Sequence, residues 1–204
     1  MAATAILIQI TSIMASFIGG VVIYYVMSTD PKEQKKKQIE DVLSLSINFV
    51  IYIWIGKIIV NIKKFLGDPL AILAYPSNSY AFYIATLFII MNVLYRKYRH
   101  HEQIEFIMQA FLMIFLNATF LYELMHVILL NQPYNKIYLF FITGLTVVYL
   151  ALYGKLTRSI QVYVFGILLL LGQCMLTLVT TITIFGYRLV PSYFISLLII
   201  VVIT

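Results

Sequence analysis

The sequence predicts an all-α fold: a polytopic transmembrane helix bundle of about seven spans, forming one transmembrane domain over residues 1–204. Three observations predict it. Of the 204 residues, 62% are hydrophobic and only 11% are charged, against about 45–50% and about 25% in soluble domains. The apolar residues gather into runs long enough to cross a bilayer as helices. The charges gather into short stretches between those runs. Within a bilayer only helices and closed barrels satisfy every backbone polar group, and runs of this length fit helices.

The first span covers about 5–27. Its start, MAATAILIQ, has no positive region and no small-residue cleavage site follows, so no removable signal peptide is read. Ser12, Ser16 and Gly20 recur every four residues, with Ala15 and Gly19 beside them. Such a stripe of small residues lets another helix come close. Ser28 to Asp41 is the most charged segment and reads as a solvated cytoplasmic loop. Asp30-Pro31 is a turn signal there, and Pro31 is suited to open a short helix. A docking role for 28–41, toward a protein partner or anionic lipid, is the alternative.

The second span, about 42–62, carries Trp54, Lys57 and Asn61 at i, i+3 and i+7, on one helix face. Lys63 and Lys64 close it. From Phe65 to Ser79, turn signals at Gly67-Asp68-Pro69 and Pro76-Ser77-Asn78 flank an apolar stretch too short to span. That stretch is expected to pack at the membrane surface, with a lid or re-entrant gate as the alternative. The third span, about 80–95, ends in the basic run RKYRHH. His100 and His101 lie side by side there, but without a nearby cysteine or a second histidine cluster they make no metal site.

The fourth span, about 106–130, is an unbroken apolar run that nevertheless carries Glu123 and His126. Thr119, Tyr122, Glu123 and His126 fall at i, i+3, i+4 and i+7 and share one face. An acid and an imidazole inside a span are costly unless paired or wetted, which makes them functional candidates. Asn131-Gln132-Pro133 breaks the helix. The fifth span covers about 137–153, and Gly154-Lys155 begins a tight turn with Arg158. The sixth, about 159–185, carries a polar stripe of Gln173, Thr177, Thr180 and Thr181. After a loop from Gly186 to Pro191, the last segment, 192–204, covers about 20 Å against a hydrocarbon core of about 30 Å. It reads as a seventh helix that barely crosses, in a chain that continues in a longer parent polypeptide.

Alternating the loops gives an orientation. One set holds Lys32, Lys35, Lys36, Lys37, Arg96, Lys97, Arg99, Lys155 and Arg158; the other holds Lys63, Lys64, Lys136 and Arg188. The richer set belongs in the cytoplasm. The N-terminus is then outside and the C-terminus cytoplasmic. Lys57 and Glu123 each fall about 7.5 Å from the midplane on the outer side. Opposite charges at one depth in a low dielectric attract strongly, so the two are expected to face each other. His126 lies one turn nearer the surface, and Gln9, Ser12 and the threonines of the sixth span share the outer half. The inner half is expected to be drier, with Asn92 the main exception.

The candidate binding residues are therefore Lys57, Asn61, Thr119, Tyr122, Glu123, His126, Gln173, Thr177 and Thr180. A structural ion pair that fixes helix register competes with a site for a small solute, cation or proton. Catalysis finds less support. Glu123 and His126 form one E-x-x-H, whereas di-iron bundles need two copies and further carboxylates. H-E-x-x-H and G-x-S-x-G are both absent. No catalytic residue, metal site or cofactor is assigned. Cys174 is the only cysteine, so no intrachain disulfide forms.

The net charge of +6 lies in short loops between spans, which excludes nucleic acid as a partner. Expected partners are the lipid bilayer, anionic lipids at the cytoplasmic loops and a protein at 28–41; the oligomeric state stays open. A chain rich in Ile, Phe, Tyr, Met, Asn and Lys fits an AT-rich genome, and the expected location is a bacterial plasma membrane. The expected role is a non-enzymatic binding, sensing or accessory component with an outward-facing polar pocket. The alternatives are a small-solute or ion transporter, then an intramembrane enzyme using Glu123 and His126.

Overall fold

The computed structural model describes residues 2–70, 78–100, 103–129, 136–180 and 183–203. Among these residues the chain is all-α apart from one small hairpin. The helices are α1 (Ala2–Met27), α2 (Lys32–Val60), α3 (Ile62–Gly67), α4 (Ser79–His100), α5 (Ile104–Leu129), α6 (Lys136–Leu152), α7 (Arg158–Val179) and α8 (Pro191–Ile203). Strands β1 (Thr183–Ile184) and β2 (Tyr187–Arg188) lie between α7 and α8. The expectations for the apolar stretch over 71–77, the break at 131–133, Thr181 and His101 lie outside the described residues.

Among the described residues five helices are long and apolar enough to cross a membrane, over Leu7–Met27, Lys32–Val60, Ser79–Arg99, Ile104–Ile128 and Arg158–Val179. Helices α6 and α8, of 17 and 13 residues, are apolar but shorter. The long and the short helices alike expose apolar side chains, Ile18, Val22, Ile47, Leu87, Val147 and Val179 among them. Rows of large apolar side chains facing outward on several helices suit hydrocarbon rather than water. These apolar helices are compatible with a multi-pass integral membrane protein.

Two element boundaries differ from the sequence reading. The charged run expected to be a loop over Ser28–Asp41 is helical from Lys32 onward. The Pro31 carbonyl accepts the first helical bond, from Lys35 N at 2.9 Å. Lys, Glu and Gln are good helix formers, so once Pro31 fixes the entry the run extends α2 downward. The sixth expected span, α7, ends at Val179, not at Phe185, and 183–188 turn back as β1 and β2. Thr183 pairs with Arg188 and Ile184 with Tyr187, leaving Phe185 and Gly186 as a two-residue loop. Both have positive φ, 49° and 87°, the signature of a type I′ turn.

The described residues gather into two compact units, 1–39 with 105–204, and 40–104. In the smaller unit α2 and α4 run antiparallel. Asp41 and Arg96 form an ion pair at 2.7 Å, and the Phe49 and Phe82 rings meet edge to face at 5.1 Å. A Cβ at Gly56 would stand 2.7 Å from the Ala81 carbonyl oxygen, so glycine sets the closeness of this crossing.

In the larger unit α5 is the central helix. Over its apolar stretch 56% is buried, against 11–22% in the other four long helices. The Ser12, Ser16 and Gly20 stripe of α1 is buried. At Gly20 a Cβ would stand 2.6 Å from the Ile114 carbonyl oxygen and 3.1 Å from the Ala118 nitrogen. The small residues thus bring the α1 backbone against the α5 backbone, as the four-residue repeat led us to expect.

Candidate functional site

The larger unit assembles a polar cluster from three helices. Glu123 comes from α5, at only 4% exposure. Tyr138 comes from the first turn of α6, is buried, and lies within electrostatic reach of the Glu123 carboxylate. Gln173 comes from the α7 face that also buries Phe165 and Leu169, and its Nε2 donates to the Tyr138 hydroxyl at 3.4 Å. Among the described residues no donor lies in hydrogen-bond range of the Glu123 carboxylate. A buried carboxylate without donors is expensive if charged, and is relieved by a proton or a cation.

Around it stand the other candidates of α5. Thr119 is buried, and its Oγ1 has no hydrogen-bond partner among the described residues. The Tyr122 ring packs against the His126 imidazole at 4.3 Å and against the Phe185 ring at 5.3 Å. Phe185 also meets Phe115 at 6.0 Å. The hairpin therefore presses an aromatic side chain onto the Tyr122 flank of the cluster. At its tip, a Cβ on Gly186 would collide with the Gln9 amide nitrogen. Sequence reading missed Phe185 because nothing in its neighbours marks a bulky residue for a left-handed turn position.

Thr177 and Thr180 are on α7 and at its C-cap, but they spend their hydroxyls on their own helix. Thr177 donates to Gln173 O at 2.9 Å and Cys174 O at 2.8 Å, and Thr180 to Leu176 O at 3.2 Å. This is the common way a hydroxyl is accommodated in an apolar helix.

Lys57 and Asn61 belong to the smaller unit. Lys57 is buried, with its Nζ 4.8 Å from the centre of the Trp54 ring, an arrangement in which the aromatic face attracts the ammonium. The Asn61 side chain donates to the Lys57 carbonyl at 3.0 Å, where the helix breaks between α2 and α3. The two charges expected to face each other thus fall in different units: Lys57 over Trp54 in one, Glu123 beside Tyr138 in the other.

The half of the larger unit nearest its basic loops is not dry. Gln109 and Gln161 are both buried, and the Gln109 amide donates to the Gln161 carbonyl at 2.7 Å. The Tyr149 hydroxyl donates to the Gln109 backbone carbonyl at 3.0 Å. Asn117 and Thr146 are buried further along, Asn117 donating to the Met113 carbonyl at 2.7 Å. At the rim, Arg158 donates to Asp30 at 2.5 Å and lies 4.0 Å from the Phe106 ring centre. Ser159 donates to Glu105 at 2.6 Å, and the Ser28 and Tyr153 hydroxyls are 3.1 Å apart. The expectation of a drier inner half is corrected for this unit. Glutamines near the end of an apolar run read as interfacial, and only the neighbouring helix reveals them as a buried pair.

Among the described residues no group of three or more His, Cys, Asp and Glu side chains is placed to hold a metal ion. No protein-family profile, no curated protein and no solved structure matches the chain.

Proposed function

We propose that this protein is a binding, sensing or accessory component of its membrane, built around a polar pocket in which Glu123 receives a small cation or a proton. The reading is carried by one observation: Glu123, a residue only 4% exposed, stands on the most buried of the five long helices with no hydrogen bond from a described residue to its carboxylate. Tyr138 and Gln173 supply neutral polar groups beside it, and Thr119 a hydroxyl with its bonding capacity unspent. Such a site favours a positive ligand, because the charge on Glu123 is then stabilised rather than merely buried. With an outside N-terminus the pocket opens away from the cytoplasm, in a bacterial plasma membrane.

Purified protein in detergent tests it, by its melting temperature in sodium, potassium and methylammonium chlorides across pH. One of these cations, or protons, should raise the melting temperature of the parent, and Glu123→Gln should abolish that response. Equal responses in the parent and Glu123→Gln would sink the proposal.

A transporter is the second reading, favoured by the buried polar residues strung along α5. Gln109, Asn117, Thr119 and Glu123 cover about 21 Å of helix at 1.5 Å per residue. Flux of the stabilising cation into proteoliposomes, lost in Glu123→Gln, would select that reading over a static binding role.

A further inference from the structure

We propose that the groove between α2 and α4 in the smaller unit is a binding site for one anionic phospholipid, with its headgroup on Arg99. The groove is open, measures about 520 Å³, and is lined by Tyr52, Ile55, Phe88, Met91, Asn92 and Tyr95. On α4, Phe88, Asn92, Tyr95 and Arg99 fall at i, i+4, i+7 and i+11, so the exposed Arg99 continues the groove face to the basic end of the helix. Arg96, one turn from Asn92, is already paired with Asp41 at 2.7 Å. Lys97 points its ammonium at the Tyr98 ring and sits off this face.

The chemistry changes with depth in the order a phospholipid does. Arg99 gives a positive charge at the rim, where a phosphate lies. Asn92 and Tyr52 follow, about 10 Å further in by helical rise. The Asn92 amide donates to the Tyr52 hydroxyl at 3.2 Å. That leaves the phenolic proton and the Asn92 side-chain Oδ1 without hydrogen-bond partners of their own among the described residues. At that depth a glycerol ester presents an acceptor for the phenol. Deeper still, Ile55, Phe88 and Met91 offer only apolar surface, suited to an acyl chain. A zwitterionic lipid fits the lower two levels equally well; the exposed rim arginine, with no ion pair among the described residues, selects the anionic one.

Native mass spectrometry of the full chain, with dioleoyl-phosphatidylglycerol and dioleoyl-phosphatidylcholine added in equal amounts, tests this. The parent should retain phosphatidylglycerol about fivefold over phosphatidylcholine, the scale of one basic group at a membrane surface. Arg99→Gln should bring the ratio close to one, whereas Lys97→Gln should keep most of the preference. Asn92→Leu should weaken both lipids alike. Both basic positions lie at the helix end away from the core, and melting curves check that each variant folds. No preference in the parent would overturn the proposal. So would a preference that survives Arg99→Gln, or one that Lys97→Gln removes as completely, which would mean diffuse charge attraction only.

Discussion

Arg158 reaches from the start of α7 to the Asp30 carboxylate, 2.5 Å away, tying the α1–α2 turn to α7. The Asp30 side chain is 6% exposed and that of Arg158 32%. A carboxylate so enclosed depends on its partner. Arg158→Met should therefore lower stability by about 2 kcal/mol, the scale of a charge-assisted hydrogen bond lost beside a buried acceptor. Asp30→Asn in the Arg158→Met background should recover part of the loss, as read by thermal melting in detergent.

Glycines at two kinds of position should respond in opposite directions. At Gly20 the atoms in the way belong to the backbone of α5 and cannot swing aside. Gly20→Ala should force α1 away from α5 and cost about 1–3 kcal/mol. At Gly166, in the interior of α7, nothing lies within 4 Å of a Cβ. Gly166→Ala should be neutral or stabilise by up to about 1 kcal/mol, through helix propensity alone. Melting temperatures of the two variants give the comparison.

Gly186 sits at φ 87° with the Gln9 amide where its Cβ would go. Gly186→Ala should cost about 1–2 kcal/mol in backbone strain, before any displacement of Gln9. Because Phe185 on the same turn packs against Tyr122, loosening the hairpin should also raise hydrogen exchange in the last turns of α5. Exchange there unchanged from the parent would show that the hairpin does not brace the helix.

Thr119 and Thr146 bury hydroxyls that find no partner among the described residues. Replacing each by the isosteric valine should leave stability unchanged or raise it by about 1 kcal/mol, since an unsatisfied polar group is removed. The two should part company in the cation titration. Thr119→Val, one helical turn from Glu123, should weaken the ligand-induced rise in melting temperature, and Thr146→Val should leave it intact.

How far the sequence carried the fold depends on the range of the interactions involved. The apolar runs and the four-residue repeat of Ser12, Ser16 and Gly20 are periodic signals within one helix, and the all-α fold and the close face of α1 followed from them. Glu123 stood out because an acid within an apolar run is anomalous whatever surrounds it. Tyr138 and Gln161 did not, since a tyrosine near a helix start and a glutamine near another are ordinary until neighbouring helices bury them. The charged start of α2 was misread because solvation and helix formation do not exclude each other: Lys, Glu and Gln serve both. The turn at Phe185 was hidden because its conformation is imposed by packing on Tyr122 and Phe115 against local preference.

Trp54 is the sole indole in the chain, and the Lys57 ammonium stands over it. Excited beyond the absorption of the tyrosines, ultraviolet emission is thus a report from a single ring under a nearby positive field. Any event that withdraws or neutralises that ammonium registers in the colour and intensity of the emitted light, with no label attached.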